Sequence, residues 1–338
     1  MKKNIFLFCF LFLSQIIVAQ NSTNDFYDDD STHLFLIPQI EISGEVSNPG
    51  VVDFSKFILR SEMVKEGYLD VNNNASFRGA YRYDGYSLYD ILNNVVLNKK
   101  NAKEFNPIID LYVEIENSKG EKVVFSWGEI FYPVNRHKIF IATQVARIVP
   151  TKTKKLWPLP TENKVVVATD LYAERNISNP TKITIKSYSC SIIANKEMEE
   201  TYSKDIVIMK NDKAVDSIIK YPQELPKSDY STIFYGRGRG LHGIKDFKGV
   251  QLKNVLEKYA EVNKNNIKNS IVVIVGKDGY RAVFTYSELF NRNDFMEVLL
   301  IDRISDKENG AFSIFPASDY FSDRAVKSIS EIRILDKF

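Results

Sequence analysis

Residues 270–290, SIVVIVGKDGYRAVFTYSELF, decide how this chain folds. An apolar run, 271–275, leads into the turn Lys277-Asp278-Gly279 and then a second strand-like run ending at Ser287-Glu288-Leu289. β-Branched residues suit a pleated, buried surface, and turn formers bound the run. Asp-Gly signals a hairpin because glycine takes positive φ without steric cost. The same unit occurs earlier at 111–131, LYVEIENSKGEKVVFSWGEIF. There Val124-Phe125 matches Val283-Phe284, and Glu129-Ile130-Phe131 matches Glu288-Leu289-Phe290. Two copies of one hairpin predict two copies of one domain.

The segments around the hairpins extend the match. In the second half, 206–209 reads as an opening strand, and Gly249-Val250 precedes a helix with Leu252, Val255, Leu256 and Tyr259 on one face. A strand at 297–301 and a closing strand at 331–335 follow the hairpin. In the first half, 40–47 alternates apolar and polar before the turn Asn48-Pro49-Gly50. A short helix is expected at 54–63, then a loop at 70–85. Leu88, Ile91, Leu92, Val95 and Val96 lie on one helical face that Ser87 can cap. Strands at 139–148, 164–169 and 182–187 close the half. Matching positions are offset by 164 residues at Gly85/Gly249, 159 at Phe125/Phe284 and 149 at Ile183/Ile332. A drifting offset is the trace of an old duplication, since loops tolerate length change and strands do not. The expected class is α+β and strand-rich, with tandem domains at 38–188 and 190–338.

The chain opens with MKKNIFLFCFLFLSQIIVAQ, read as a secretion signal at 1–19: basic Lys2 and Lys3, an apolar core, and small Ala19 before the cut. Ser14 and Gln15 interrupt a run already short for a bilayer span, so no span is expected to remain after the signal is removed. Cys9 lies inside the apolar core rather than at its end, which argues against a lipid anchor. The mature chain is read as exported, to a periplasm, a cell surface or the medium. Residues 20–37, acidic at Asp25 and Asp28 to Asp30, read as a disordered spacer. Without Lys2 and Lys3, 43 basic residues balance 43 acidic ones. That balance gives no global field for nucleic acid or an anionic membrane. Cys190 is then the one cysteine left, and with three histidines no internal disulfide or Cys/His zinc site is expected. With 44% hydrophobic and 12% aromatic residues, apolar burial can fill two cores.

The second half resembles the molybdopterin-binding domain of the sulfite-oxidase-like oxidoreductases. Three motifs stand in that family's order: G-V-x-L-x-x-V-L at 249–256, D-G-Y-x-x-x-F-x-x-x-E-L at 278–289, and F-P-x-S-D-Y with Ala325-Val326-Lys327 at 315–334. The first half is similar through ISGEVSNPG at 42–50 and GYSLYDIL at 85–92. The resemblance implies two tandem, degenerate domains of that type and, by family, a bound molybdopterin. The family's metal is held by a cysteine thiolate just before the helix start, and a soft thiolate suits that metal. The corresponding intervals here, 72–85 and 230–249, contain no cysteine. The expectation is therefore no catalytic residue, no metal ligand and no resident cofactor, with molybdopterin possible only by resemblance. Cys190, between the halves, reads as a small buried or linker residue.

The densest remaining constellation is FYGRGRGLHGIKDFKG at 234–249, with Arg237, Arg239, His242, Lys245 and Lys248 among five glycines. Glycines let backbone approach a ligand, and guanidinium forks match phosphate or carboxylate. Candidate ligand-binding residues are Arg237, Arg239, His242 and Lys245. The resemblance adds Lys327, whose segment the family brings beside this loop. Arg78 and Arg82 are a thinner version in the first half. Nearby Tyr81, Tyr83, Tyr86, Tyr230 and Tyr235 could stack on a planar ring. No G-x-S-x-G, P-loop or H-E-x-x-H is present. Two function classes follow: an exported non-catalytic binding protein for an anionic or planar small molecule, or a molybdopterin-dependent oxidoreductase that lacks the cysteine ligand.

Overall fold

The computed structural model describes residues 28–195, 197–198, 201–303 and 310–336. The expected secretion signal, 1–19, and its cut lie outside them. The first half runs β1 (Asp28–Asp29), β2 (His33–Leu34), β3 (Glu41–Gly44), β4 (Gly50–Val51), β5 (Leu59–Leu69), β6 (Ala75–Ser87), α1 (Leu88–Leu92), β7 (Leu111–Asn117), β8 (Lys122–Ser126), α2 (Trp127–Phe131), β9 (Ile139–Val149), β10 (Lys164–Val167) and β11 (Pro180–Ser187). The second half runs β12 (Ile206–Lys210), β13 (Lys213–Ile218), β14 (Lys227–Gly236), β15 (Gly240–Gln251), α3 (Leu252–Leu256), α4 (Lys264–Asn269), β16 (Ile271–Gly276), β17 (Arg281–Thr285), α5 (Tyr286–Phe290), β18 (Val298–Asp302), β19 (Phe312–Pro316) and β20 (Ile329–Leu335). Apart from β1, β2 and α4, each element of one half has a counterpart in the same place in the other. The sheets repeat as well. The order β4-β3-β11-β7-β8 recurs as β13-β12-β20-β16-β17, and β5-β6-β9-β10 recurs as β14-β15-β18-β19. The single parallel pair of each first-named sheet, β3/β11 or β12/β20, is repeated too. β1 and β2, from the stretch read as spacer, both pair with β9.

The expected α+β class does not hold. Strand accounts for 45% of the structure and helix for 14%, with four small sheets in a four-blade, propeller-like arrangement, which is not the two-domain fold the family resemblance implied. The physical reason lies in segments expected to be helix or loop. Helix 54–63 shrinks to one 3-10 turn at Phe54–Lys56, capped by Asp53, before β5 begins. The apolar face expected to reach Val96 stops at Leu92, where Asn93 and Asn94 are poor helix formers and Val95 and Val96 are β-branched. The stretch expected to be a loop, 70–85, pairs mostly as β6 against β5.

The hairpin of β16 and β17 is buried on both faces. Every residue of β16 and β17 is buried. Val272, Ile274 and Phe284 face the second half's own core with Ile208, Leu252 and Ile332. Ile271, Val273 and Val283 turn the other way, onto Tyr112 and Val124 of the first hairpin. Residues Leu111, Val113, Ile115 and Phe125 in turn fill the first half's core. A strand packed on both faces reads as a continuous apolar run rather than an alternation. Each such side chain contributes about 1.5–3 kcal/mol relative to exposure. The two hairpins are thus the seam joining the halves, and their turns match, with Gly120 at φ +78° and Gly279 at φ +79°.

Candidate functional site

The seam carries a buried charge network with pseudo-two-fold symmetry. It starts from two capping boxes: Ser126 with Glu129 at the start of α2, and Thr285 with Glu288 at the start of α5. A hydroxyl at the N-cap accepts from the N3 amide while the N3 carboxylate takes the cap's own N–H. Each hydroxyl then crosses the seam. Ser126 Oγ donates to Glu288 Oε2 at 2.6 Å, and Thr285 Oγ1 donates to Glu129 Oε1 at 3.2 Å. A buried arginine follows in each half. Arg175 grips Asp170 through two bonds of 2.8 Å and reaches both Glu129 oxygens at 3.0 Å. Arg324 grips Asp319 through two bonds of 2.7 Å and Glu288 at 2.7 Å. The guanidiniums also cover Phe125 and Phe284, at 4.6 and 4.3 Å.

Four carboxylates share two guanidiniums here, so the site favours taking up a proton. Burial raises Glu129 to about 8, with Glu288 and Asp170 adding to the rise and Arg175 opposing it. Burial also raises Asp170 and Asp319. An ordinary glutamate titrates near 4.5, so the folded state holds more protons than the unfolded state between that value and about 8. Stability from this group is full below pH 4.5 and is lost as pH rises through about 8. The melting temperature should therefore fall by several degrees between pH 6.5 and 8.5, and Glu129→Gln should flatten that fall. A wild-type melting curve independent of pH over this window would contradict it.

Beside the network, corresponding loops from the two halves meet. Leu171 N–H donates to the Asn291 carbonyl at 2.6 Å, and Tyr320 N–H donates to the Tyr132 carbonyl at 2.7 Å. The loop tips carry His137 at φ +73° and Phe295 at φ +60°, left-handed conformations uncommon outside glycine. A cleft of about 310 Å³ opens between these loops, lined among others by Arg136, His137, Arg292, Met296 and Phe315, with Ser231 and Thr232 from β14. A second cleft of about 250 Å³ shares Tyr89 and Arg136 with it. Trp127, Phe131, Tyr132 and Phe321 wall this second cleft, and Arg237 lines it with Arg136. Trp127 and Phe131 stack with centroids 4.3 Å apart. Arg136 donates to the Tyr89 hydroxyl at 2.9 Å and lies 5.0 Å above that ring. Among the described residues no carboxylate forms an ion pair with Arg136. Burial, aided by the charge of Arg60, holds His137 below its usual range, so its ring is neutral at pH 7; it faces Ser87 Oγ at 3.0 Å.

The residues singled out by sequence divide. Arg237, Arg239, His242 and Lys245 all belong to the β14/β15 hairpin, whose strands pair from Lys227↔Val250 to Gly236↔Gly240. Arg237 reaches the aromatic cleft, and its backbone N–H and guanidinium both face Asp323. His242 and Lys245 lie against the Phe234 ring. Ser322 and Asp323 do come beside the hairpin end. Lys327, only four residues further on, is instead next to Gly276, where β16 ends. Arg78 sits 5.6 Å from the Tyr68 ring on the first half. Cys190 packs with Ile192 beside Ile271, Val273 and Leu335, none of which lines either cleft. A thiolate-held metal does not fit the cleft's side chains, and among the described residues no group of three His, Cys, Asp or Glu could hold a metal.

Sequence reasoning missed Arg136, Tyr89 and the whole seam network. The signal was present in ATDLYAER at 168–175 and ASDYFSDR at 317–324, each with Asp and Arg five residues apart. The two S/T-x-x-E boxes were also legible. No family model matches the chain, and no curated protein is similar to it.

Proposed function

We propose that this is an exported, non-catalytic binding protein that takes a small planar anion in the aromatic cleft between its halves. The observation that carries the reading is the convergence of Arg136 and Arg237, one from each half, on walls made by Trp127, Phe131, Tyr132 and Phe321. A ring system stacks on such walls, and a carboxylate or phosphate is matched by guanidinium forks. Arg136 has no acidic partner of its own among the described residues, so an incoming anion meets no competing carboxylate there. Arg237 is shared with Asp323 and half exposed, so its contribution is smaller. Export rests on the basic, apolar and small pattern at 1–19. Binding rather than turnover fits Glu129, which lines the neighbouring cleft of about 310 Å³ and whose oxygens are already held by Arg175 and by Thr285.

The test is calorimetric titration with pterin-6-carboxylate, flavin mononucleotide and adenosine monophosphate. At least one should bind, and Arg136→Ala should weaken it about tenfold or more, the loss expected for a charge-assisted hydrogen bond. Arg237→Ala should cost less. Equal affinity in the double variant, or no binding of any of the three, would overturn the reading.

A further inference from the structure

The two long hairpins correspond in sequence order but not in their surroundings. In the first half β6 is paired by β9 from Tyr81 to Ser87, and Tyr81 and Tyr83 are fully buried. In the second half β15 meets β18 only at Val250 and Gln251. Among the described residues, the outer edge of β15 from Gly240 to Gly249 has no strand beside it. Ile244 is 80% exposed, and Ile233, directly across the hairpin from it, is 63% exposed. Leu241 stands exposed on the same strand. An open strand edge presents unsatisfied N–H and C=O groups ready to pair with another strand. Lysine is a usual guard of such edges, but Lys245 lies over the face of Phe234.

We infer that this edge docks a second copy of the chain, with two β15 strands pairing antiparallel about a two-fold axis through Ile244. An isologous contact needs a surface complementary to itself. Antiparallel neighbours on one face are related through the axis residue, so centring on Ile244 sets Ile244 against its own copy. Lys245 then meets Gly243, and Asp246 comes opposite His242, the residue that bulges where β15 pairs with β14. Centring on Lys245 or Asp246 would instead oppose like charges across the axis, which is destabilising. The edge carries both signs, with Lys245 and Lys248 beside Asp246, so its charges favour a copy of itself over a uniformly charged strand. The dimer buries two isoleucines that the monomer leaves in water.

Sedimentation equilibrium of the full mature chain tests this. Wild type should form a dimer in the micromolar range. Ile244→Glu should weaken dimerisation at least about a hundredfold, since it loses two buried isoleucines and opposes two carboxylates. Position 244 is exposed in the monomer, so the melting temperature of the monomer should not move. The register has its own readout: Ile244→Glu mixed with Ile244→Lys should restore a mixed dimer that neither variant forms alone. A wild type that stays monomeric at all concentrations, or that acquires only a foreign strand, overturns the inference. So does a dimer indifferent to Ile244→Glu, or a mixture that fails to associate.

Discussion

Arg324→Met should destabilise the folded chain by about 3–5 kcal/mol, the cost of stranding buried carboxylates without their cation. Arg324 is 1% exposed and makes charge-assisted bonds to Asp319 and Glu288, both also buried. Methionine fills much of the same volume over Phe284 but donates nothing. Asp319 and Glu288 are then left buried without their cation unless water enters the seam. The damage reaches across the halves, because Ser126 Oγ of the first hairpin donates to that same Glu288. Replacing the carboxylates as well, in Arg324→Met/Glu288→Gln/Asp319→Asn, should recover part of the loss, since removing both sides of a buried pair costs less than removing one. Urea denaturation measures both variants. A single variant within 1 kcal/mol of wild type would mean that the network is solvated and the seam is held by the hairpins alone.

Gly44→Ala should cost about 3 kcal/mol, from two sources that add. Gly44 has φ +97°, and a Cβ there would sit 2.2 Å from the Ile185 carbonyl oxygen. Left-handed strain for an L-residue costs about 1–2 kcal/mol, and overpacking adds about 1–3 kcal/mol. Neither side can yield cheaply. Gly44 pairs in parallel with Ile185 on β11, and the next amide, Glu45 N–H, donates to that same carbonyl at 2.9 Å. The side chain of Glu45 then ties Ser187 and Lys100 to this corner. The melting temperature should drop by about 5 °C or more even in a chain of this length. An unchanged melting temperature would show that β3 is not part of the cooperative unit.

Much of the scaffold was legible because its cause is local. The apolar run at 271–275, the Lys119-Gly120 and Asp278-Gly279 turns and the two capping boxes are short-range signals, and each corresponds to an element in the structure. The class was not legible, because helix and strand compete over short segments. Leu88 to Val96 has a helical face but only one turn's worth of helix before Asn93 and Asn94. The cleft was legible in part. Arg237 was visible as a cation among glycines, whereas Arg136 stands in a turn whose importance comes from a loop more than 150 residues away, at 291–297. No period or motif in one half records what the other half presents to it. Lys327 shows the converse limit, since closeness in sequence to Asp323 leaves its backbone beside Gly276.

Emission from Trp127 tests the cleft most directly. The chain has two tryptophans, so Trp157→Phe leaves Trp127, 4% exposed in the cleft wall, as the sole indole reporter. Titrating this variant with flavin mononucleotide and pterin-6-carboxylate should quench that emission saturably for at least one of them. Adding Arg136→Ala should move the midpoint about tenfold higher. Emission that stays unchanged up to millimolar ligand, or quenching that is linear and identical in both variants, would contradict a planar anion bound between the halves.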